Sequence, residues 1–212
     1  MIQLIRKIIF IFIVKPLALI IIGVNIRNKE KFPKKGPAII VANHNSHLDT
    51  VVIMSLFSLK VFSSVKPIAA ADYFLRNKVL SWLALNIIGI VPISRNVTSL
   101  NRDPLSNVSE ALSKGNIIIF FPEGTRGEPE KLEEFKSGIA HISKRHPDIP
   151  ITPIFLYGLG KSLPKGEALL VPFICDLFIG KELFWNNDKE KFMEDLNNEF
   201  LELKTKSNYN EW

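Results

Sequence analysis

The sequence predicts an α/β domain preceded by a helical segment that embeds in a membrane. Three observations predict it. Short β-branched runs alternate with stretches of helical spacing along most of the chain. Hydrophobic residues make up 47% of the 212 residues, enough to cover both faces of a sheet and too many for a disordered tail protein. An apolar run with a single charge opens the chain, with basic residues on both sides of it.

That run, residues 8–24, reads IIFIFIVKPLALIIIGV, with Lys15 its single charge and Pro16 directly after. A spanning helix needs about 20 apolar residues. A charge and a helix breaker cost most at mid-span. Two short arms are therefore expected, one up to Val14 and one from Leu17, dipping into one leaflet and returning. Arg6, Lys7, Lys15, Arg27, Lys29, Lys31, Lys34 and Lys35 against Glu30 give residues 1–36 a net +7, while residues 37–212 carry 19 basic and 20 acidic residues, net −1. The excess charge is a collar around the apolar run. It points to anionic lipid and away from nucleic acid. Basic residues at both ends keep both on the cytoplasmic face, a monotopic arrangement. The stretch Gly23-Val24-Asn25-Ile26-Arg27 has no small-residue cleavage site of the kind that ends a signal peptide.

Residues 25–36 read as a polar, basic connector, so the chain divides into a membrane-associating segment, 1–36, and an α/β domain, 37–212. In that domain a strand is expected over 37–43, a helix over 48–59, a strand over 65–71, a helix over 76–88 and a strand over 90–93. A helix over 104–114 has Pro104 at its start and Gly115 past its end. An apolar strand over 116–124 ends in a turn, and a helix follows over 137–145. Strands are expected over 149–156 and 168–174. The prolines of 149–154 suit an edge strand. Asp188 caps a last amphipathic helix with Phe192, Leu196, Phe200 and Leu203 on one face. The single cysteine, Cys175, excludes a disulfide framework and a zinc-type cysteine cluster and reads as a small core residue.

Chemistry concentrates in two places. Asn43-His44-Asn45-Ser46-His47-Leu48-Asp49 directly follows a buried strand, where α/β sheets carry their sites. A His and an Asp five apart do not meet on a regular helix but can meet across a strand-to-helix turn. The carboxylate then holds one ring nitrogen and the other becomes a base. The arrangement is a triad without its serine, and a substrate hydroxyl would be the nucleophile. His44 also fits a turn histidine with Asp49 as a helix cap, and His44, His47 and Asp49 fit a metal-dependent hydrolase. Ser46 lacks the glycine-flanked elbow of a nucleophilic serine. The second place is Phe120-Phe121-Pro122-Glu123-Gly124-Thr125-Arg126-Gly127, where glycines let backbone approach an anion and arginine forks onto its oxygens. Arg95 and Lys136 are further candidate anion ligands.

With these blocks in view, the chain resembles the glycerolipid acyltransferases. His44-x-x-x-x-Asp49 matches their first block, Gly89 to Arg95 resembles the second, Phe121 to Arg126 matches the third closely, and Ile149 to Ile154 resembles the fourth. The resemblance implies a mixed sheet flanked by helices. It implies His44 as general base on the acceptor hydroxyl and Asp49 as its orienting partner. Arg95 would help bind the acceptor, and Glu123, Gly124, Thr125 and Arg126 its glycerol-phosphate part. Pro153 lies in the block linked to the acyl donor. The implied reaction moves a fatty acyl group from acyl-CoA or acyl-carrier protein, a co-substrate, to a lysophospholipid, with no metal and no resident cofactor. The expected acceptor is 1-acylglycerol-3-phosphate. Glycerol-3-phosphate and a lyso-aminolipid are the alternatives within the family. A metal-dependent hydrolase and a non-catalytic lipid-binding protein are the alternatives outside it.

Overall fold

The computed structural model describes residues 2–16, 23–46, 48–74, 76–94, 103–128, 131–162 and 174–208. Among these, seven strands form one sheet: β1 Val24–Arg27, β2 Ala38–Ala42, β3 Val65–Ala70, β4 Val91–Ile93, β5 Ile117–Phe120, β6 Ile151–Tyr157 and β7 Cys175–Ile179. Their order is β1-β7-β6-β2-β5-β3-β4. Every pairing is parallel except β6 with β7, so the sheet is mixed. The helices are α1 Ile2–Ile9, α2 Leu48–Ser55, α3 Leu59–Phe62, α4 Ala71–Phe74, α5 Lys78–Leu83, α6 Ser106–Ser113, α7 Gly138–Arg145, α8 Leu159–Ser162 and α9 Lys189–Asn208.

Both faces of the sheet are covered, which is why its central strands carry no polar alternation. In β2, Ala38, Ile40 and Ala42 face α2 and Phe10, while Ile39 and Val41 face α6, α7 and α9. In β5, Ile117 and Ile119 take the first face and Ile118 and Phe120 the second. This is the two-residue period of a strand with apolar partners on each side. The carboxylate of Asp188 accepts the amides of Glu190 and Lys191, so it caps α9 as expected. Phe192, Leu196, Phe200 and Leu203 of α9 are buried against the sheet.

Three expected elements differ. Part of the supposed connector is β1, an outer strand that pairs with β7. The last strand is Cys175–Ile179, later than the expected 168–174; Ile174 is exposed coil, and 168–173 lie outside the described residues. Asp176 hid it, since a charge inside an apolar run argues against a buried strand. Its side chain instead lies beside Arg27 of β1, two positions along from its register partner Asn25. Third, β6 lies inside the sheet, between β7 and β2, and is not an edge. Pro153 is tolerated because its carbonyl accepts Gly180 just past the end of β7, and regular pairing with β7 begins only at Ile154.

The N-terminal helix is the largest departure. α1 continues into a π-helical turn, Phe10–Val14. It packs on a second π turn, Ala84–Ile88, that extends α5. Arg6, expected in the basic collar, is 1% exposed. Its guanidinium donates to the carbonyls of Ser63, Val65, Ile87 and Ile88 and lies over the Phe62 ring. These carbonyls are free because they sit at element ends, where the ladders leave acceptors unused. Gly89, in the left-handed region at φ +78°, makes the room, since a Cβ there would meet Arg6 at 2.6 Å. Phe10 stacks on Phe62 at 3.7 Å between ring centroids. The opposite side of this helix exposes Leu4, Ile5, Ile8, Phe12 and Ile13, and α5 with its π turn adds Val79, Trp82, Leu83 and Leu85. No helix among the described residues is long and apolar enough to cross a membrane. The second arm expected from Leu17 falls on 17–22, outside the described residues.

Candidate active site

The site lies beyond the C-terminal ends of β2 and β5, where parallel strands deliver loops to a crevice. After β2, Asn43 extends the sheet by side chain. Its amide exchanges hydrogen bonds with the backbone of Leu156 on β6, accepting its N–H at 2.7 Å and donating to its carbonyl at 3.0 Å. The same amide donates to the Asn45 side chain. The Asn45 amide in turn donates to the carbonyls of Glu128 and Lys131, and the Gly127 amide donates to the His44 carbonyl. The His44 loop is thereby sewn to the loop after β5. Sequence reasoning assigned no role to Asn43 and Asn45. Their signal was the density of polar residues in a stretch that follows a buried strand.

His44 and Asp49 meet across the strand-to-helix turn, as their spacing predicted. Nδ1 of His44 lies 2.9 Å from Oδ2 of Asp49. That oxygen also accepts the amides of Asn45 at 2.8 Å and Ser46 at 2.9 Å. An oxygen already accepting two backbone N–H groups is an acceptor, so Nδ1 is the donor, and Nε2 is left to take a proton. Asp49 is fully buried, while the His44 side chain is 20% exposed and stacks on Phe121 at 4.2 Å between ring centroids. Buried Ser46 accepts the Leu48 amide with its hydroxyl, so it caps the start of α2 and is no exposed nucleophile. Among the described residues no group of three or more His, Cys, Asp or Glu side chains is placed to hold a metal ion. His47 and Arg95 lie outside the described residues.

His44 opens onto a cavity of about 810 Å³, within the usual range for small-molecule sites. Its apolar lining includes Ile9, Phe10 and Val14 of the N-terminal helix with Met54, Phe62, Ile68 and Ile90. Its polar lining includes Thr125 and Arg126 of the turn after β5 with Thr50, Ser94, Lys136 and His141. Gly124 is left-handed at φ +74°, and a Cβ there would meet Nζ of Lys136 at 2.9 Å. The Lys136 amide donates to the Pro122 carbonyl, which docks the segment before α7 onto the turn. Lys136, a candidate anion ligand by sequence, lies on the cavity wall.

Two expected substrate contacts are not placed at the cavity. Pro153 is buried in the middle of the sheet. Glu123 is 3% exposed and does not line the cavity. It turns inward because the backbone at Gly124 reverses, so Pro122, Gly124 and Thr125 face the cavity while Glu123 goes beneath the His44 loop. Burial pushes its carboxyl up to about 8. The backbone amides of His44 and Glu133 pull the other way, but neither reaches full hydrogen-bond geometry, so both oxygens lack a partner. Asp49 and Glu133 add negative charge nearby and raise it further.

Comparison with known proteins places this geometry. An acyltransferase family model matches residues 23–157, from β1 through β6. The chloroplastic 1-acyl-sn-glycerol-3-phosphate acyltransferase LPAT1 of Arabidopsis thaliana is 34% identical over 68% of this chain and 38% of its own length. The human 1-acyl-sn-glycerol-3-phosphate acyltransferase alpha is 29% identical over 64% of this chain and 45% of its own. The chain thus spans less than half the length of these relatives. The crystal structure of PlsC, the 1-acyl-sn-glycerophosphate acyltransferase of Thermotoga maritima, superposes with a TM-score of 0.76 over 98% of this chain and 82% of the other, at 21% identity, and shares its fold. The matched stretch holds the whole His44–Asp49 pair and the Phe121 to Arg126 turn, and on that match the chain belongs to the acyltransferase family.

Proposed function

We propose that the protein transfers a fatty acyl group from an acyl thioester to the free hydroxyl of 1-acylglycerol-3-phosphate, giving phosphatidic acid and a free thiol. The observation that carries the reading is the 2.9 Å His44–Asp49 contact on the wall of a cavity lined by both apolar residues and Arg126. The similar 1-acyl-sn-glycerol-3-phosphate acyltransferases of Arabidopsis thaliana and human support the acceptor.

Nε2 of His44 takes the hydroxyl proton as that oxygen bonds to the thioester carbonyl carbon. The carbon–sulfur bond then breaks, and the imidazolium returns the proton to the departing thiolate. Asp49 holds the ring and stabilises its charge. Both substrates share one cavity, so proximity replaces an acyl-enzyme. Arg126 forks onto the acceptor phosphate beside Gly124 and Thr125. Arg95 joins it as an acceptor ligand on the resemblance alone, four blocks of the family pattern being present, and the donor is acyl-CoA or acyl-carrier protein. Incubation of the purified protein with 1-acylglycerol-3-phosphate, glycerol-3-phosphate and a lyso-aminolipid in competition, with labelled acyl thioesters, tests the reading by product mass. Phosphatidic acid is the expected main product. A main product from either other acceptor, or no transfer at all, refutes it.

The N-terminal helix is the membrane contact, lying in one leaflet from the cytoplasmic face. Its exposed Leu4, Ile8, Phe12 and Ile13 support this, with Lys7 and Lys15 beside them and Trp82 on α5. Truncation is a poor test, because Arg6, Phe10 and β1 belong to the folded domain. Joint substitution Phe12→Ser and Ile13→Ser removes only exposed apolar surface. It should weaken flotation with anionic vesicles by roughly tenfold or more. Unchanged flotation refutes the contact.

A further inference from the structure

Glu123 sits inside the motif that the family resemblance assigns to acceptor binding, yet its side chain is withdrawn from the cavity. It is 3% exposed, and the residues on either side, Pro122 and Gly124, line the cavity while it does not. It lies under the backbone of two different loops, facing the His44 amide after β2 and the Glu133 amide before α7. Neither carboxyl oxygen has a hydrogen-bond partner among the described residues. Among the described residues the charged groups that bear on it are Asp49 on α2 and Glu133 on the segment before α7, both acidic.

We infer that Glu123 is a positioning residue, a neutral acid that braces the His44 backbone from beneath, and not a ligand of the acceptor. A carboxylate buried without a countercharge, next to a second buried carboxylate, is strongly disfavoured, and such pairs settle with one member protonated. Asp49 has three N–H donors on one oxygen. Glu123 has none at full geometry, so the proton belongs on Glu123. Burial holds it protonated up to about pH 8. In that state Glu123 adds no charge beside the carboxylate that orients His44. Ionisation of Glu123 adds one there and expels the side chain from under the loop.

This inference rests on His44 acting as the base of the proposed transfer. It predicts that kcat falls as pH rises through about 8. Glu123→Gln is neutral at every pH and keeps one acceptor for the loop amides. It should lie within about tenfold of wild type in kcat at pH 7, with the acceptor KM within about twofold, and should lack the alkaline fall. Glu123→Ala removes the brace and should lower kcat by about a hundredfold. If Glu123→Gln instead raises the acceptor KM about tenfold and keeps the alkaline fall, the side chain is a substrate ligand and the inference is overturned. Thermal unfolding gives a readout that needs no activity. The folded value lies above the unfolded one, so the stability tied to this proton is complete below about pH 4.5 and is lost as pH rises toward about 8. The wild-type Tm should therefore fall relative to that of Glu123→Gln across this window, and parallel profiles overturn the inference. A wild type that transfers no acyl group but shows the Tm difference would refute the transferase reading and leave the neutral acid standing.

Discussion

His44→Ala should lower kcat for acyl transfer by about 10²- to 10⁴-fold, with little change in acceptor KM. The side chain supplies the only base that the cavity presents beside a buried carboxylate at hydrogen-bond distance among the described residues. Asp49→Asn should approach the same loss. An asparagine has one acceptor oxygen, and the Asn45 and Ser46 amides already claim the acceptor position. That oxygen also faces Nδ1, so the ring stays held, but the neutral side chain no longer stabilises the imidazolium, and its NH2 group takes the buried place of Oδ1, where no described residue accepts from it. Because the two residues act as a unit, the double variant should be no slower than the worse single one. Initial-rate kinetics on the three variants checks this. Wild-type turnover in either single variant would sink the mechanism, and multiplicative losses would show two independent roles.

Arg126→Ala should raise the KM for 1-acylglycerol-3-phosphate by about 10- to 100-fold, the worth of a charge-assisted hydrogen bond or two. The donor KM should stay near its wild-type value. The preference for this acceptor over an uncharged monoacylglycerol should fall by a similar factor, since only the phosphate contact is lost. Arg126→Lys restores charge without the planar fork and should recover part of the loss. An effect confined to the acyl donor would place Arg126 on the other substrate.

The contrast between these residues and Glu123 shows what kind of information a sequence carries. His44 and Asp49 are five positions apart, and the turn between them is short. Backbone geometry leaves few ways for an Asp in the first turn of a helix to avoid the loop before it. The pair was legible for that reason. The place of Arg126 on the cavity wall was legible because a glycine-containing turn after a buried strand has to emerge at the sheet end. Glu123 was not. Whether a residue in such a turn faces the cavity or the interior depends on the backbone reversal at Gly124 and on a segment from before α7 that docks against it. Pro153 was misread for a related cause. A proline suits an edge, but here the neighbouring strand ends opposite it.

The N-terminal segment makes the same division. From composition alone, an apolar run inside a basic collar reads as lipid-facing throughout. The exposed Leu4, Ile8, Phe12 and Ile13 agree with that reading. Arg6 and Phe10 do not, because the other face of the helix is core. A guanidinium is tolerated there by carbonyls at the ends of elements some 57 to 82 residues away.

Local physics therefore set the alternation of strands and helices, the α9 cap and the His–Asp pair, all from residues near in the chain. Those features follow from hydrophobic period, capping and turn length, which operate over a few residues. The strand order, the inward turn of Glu123, the cavity wall built from helical residues Ile9, Phe10 and Val14, far upstream of His44, and the burial of Arg6 were decided by packing between distant segments. A side chain's environment is the sum of whatever elements meet there, and no window of sequence contains them all.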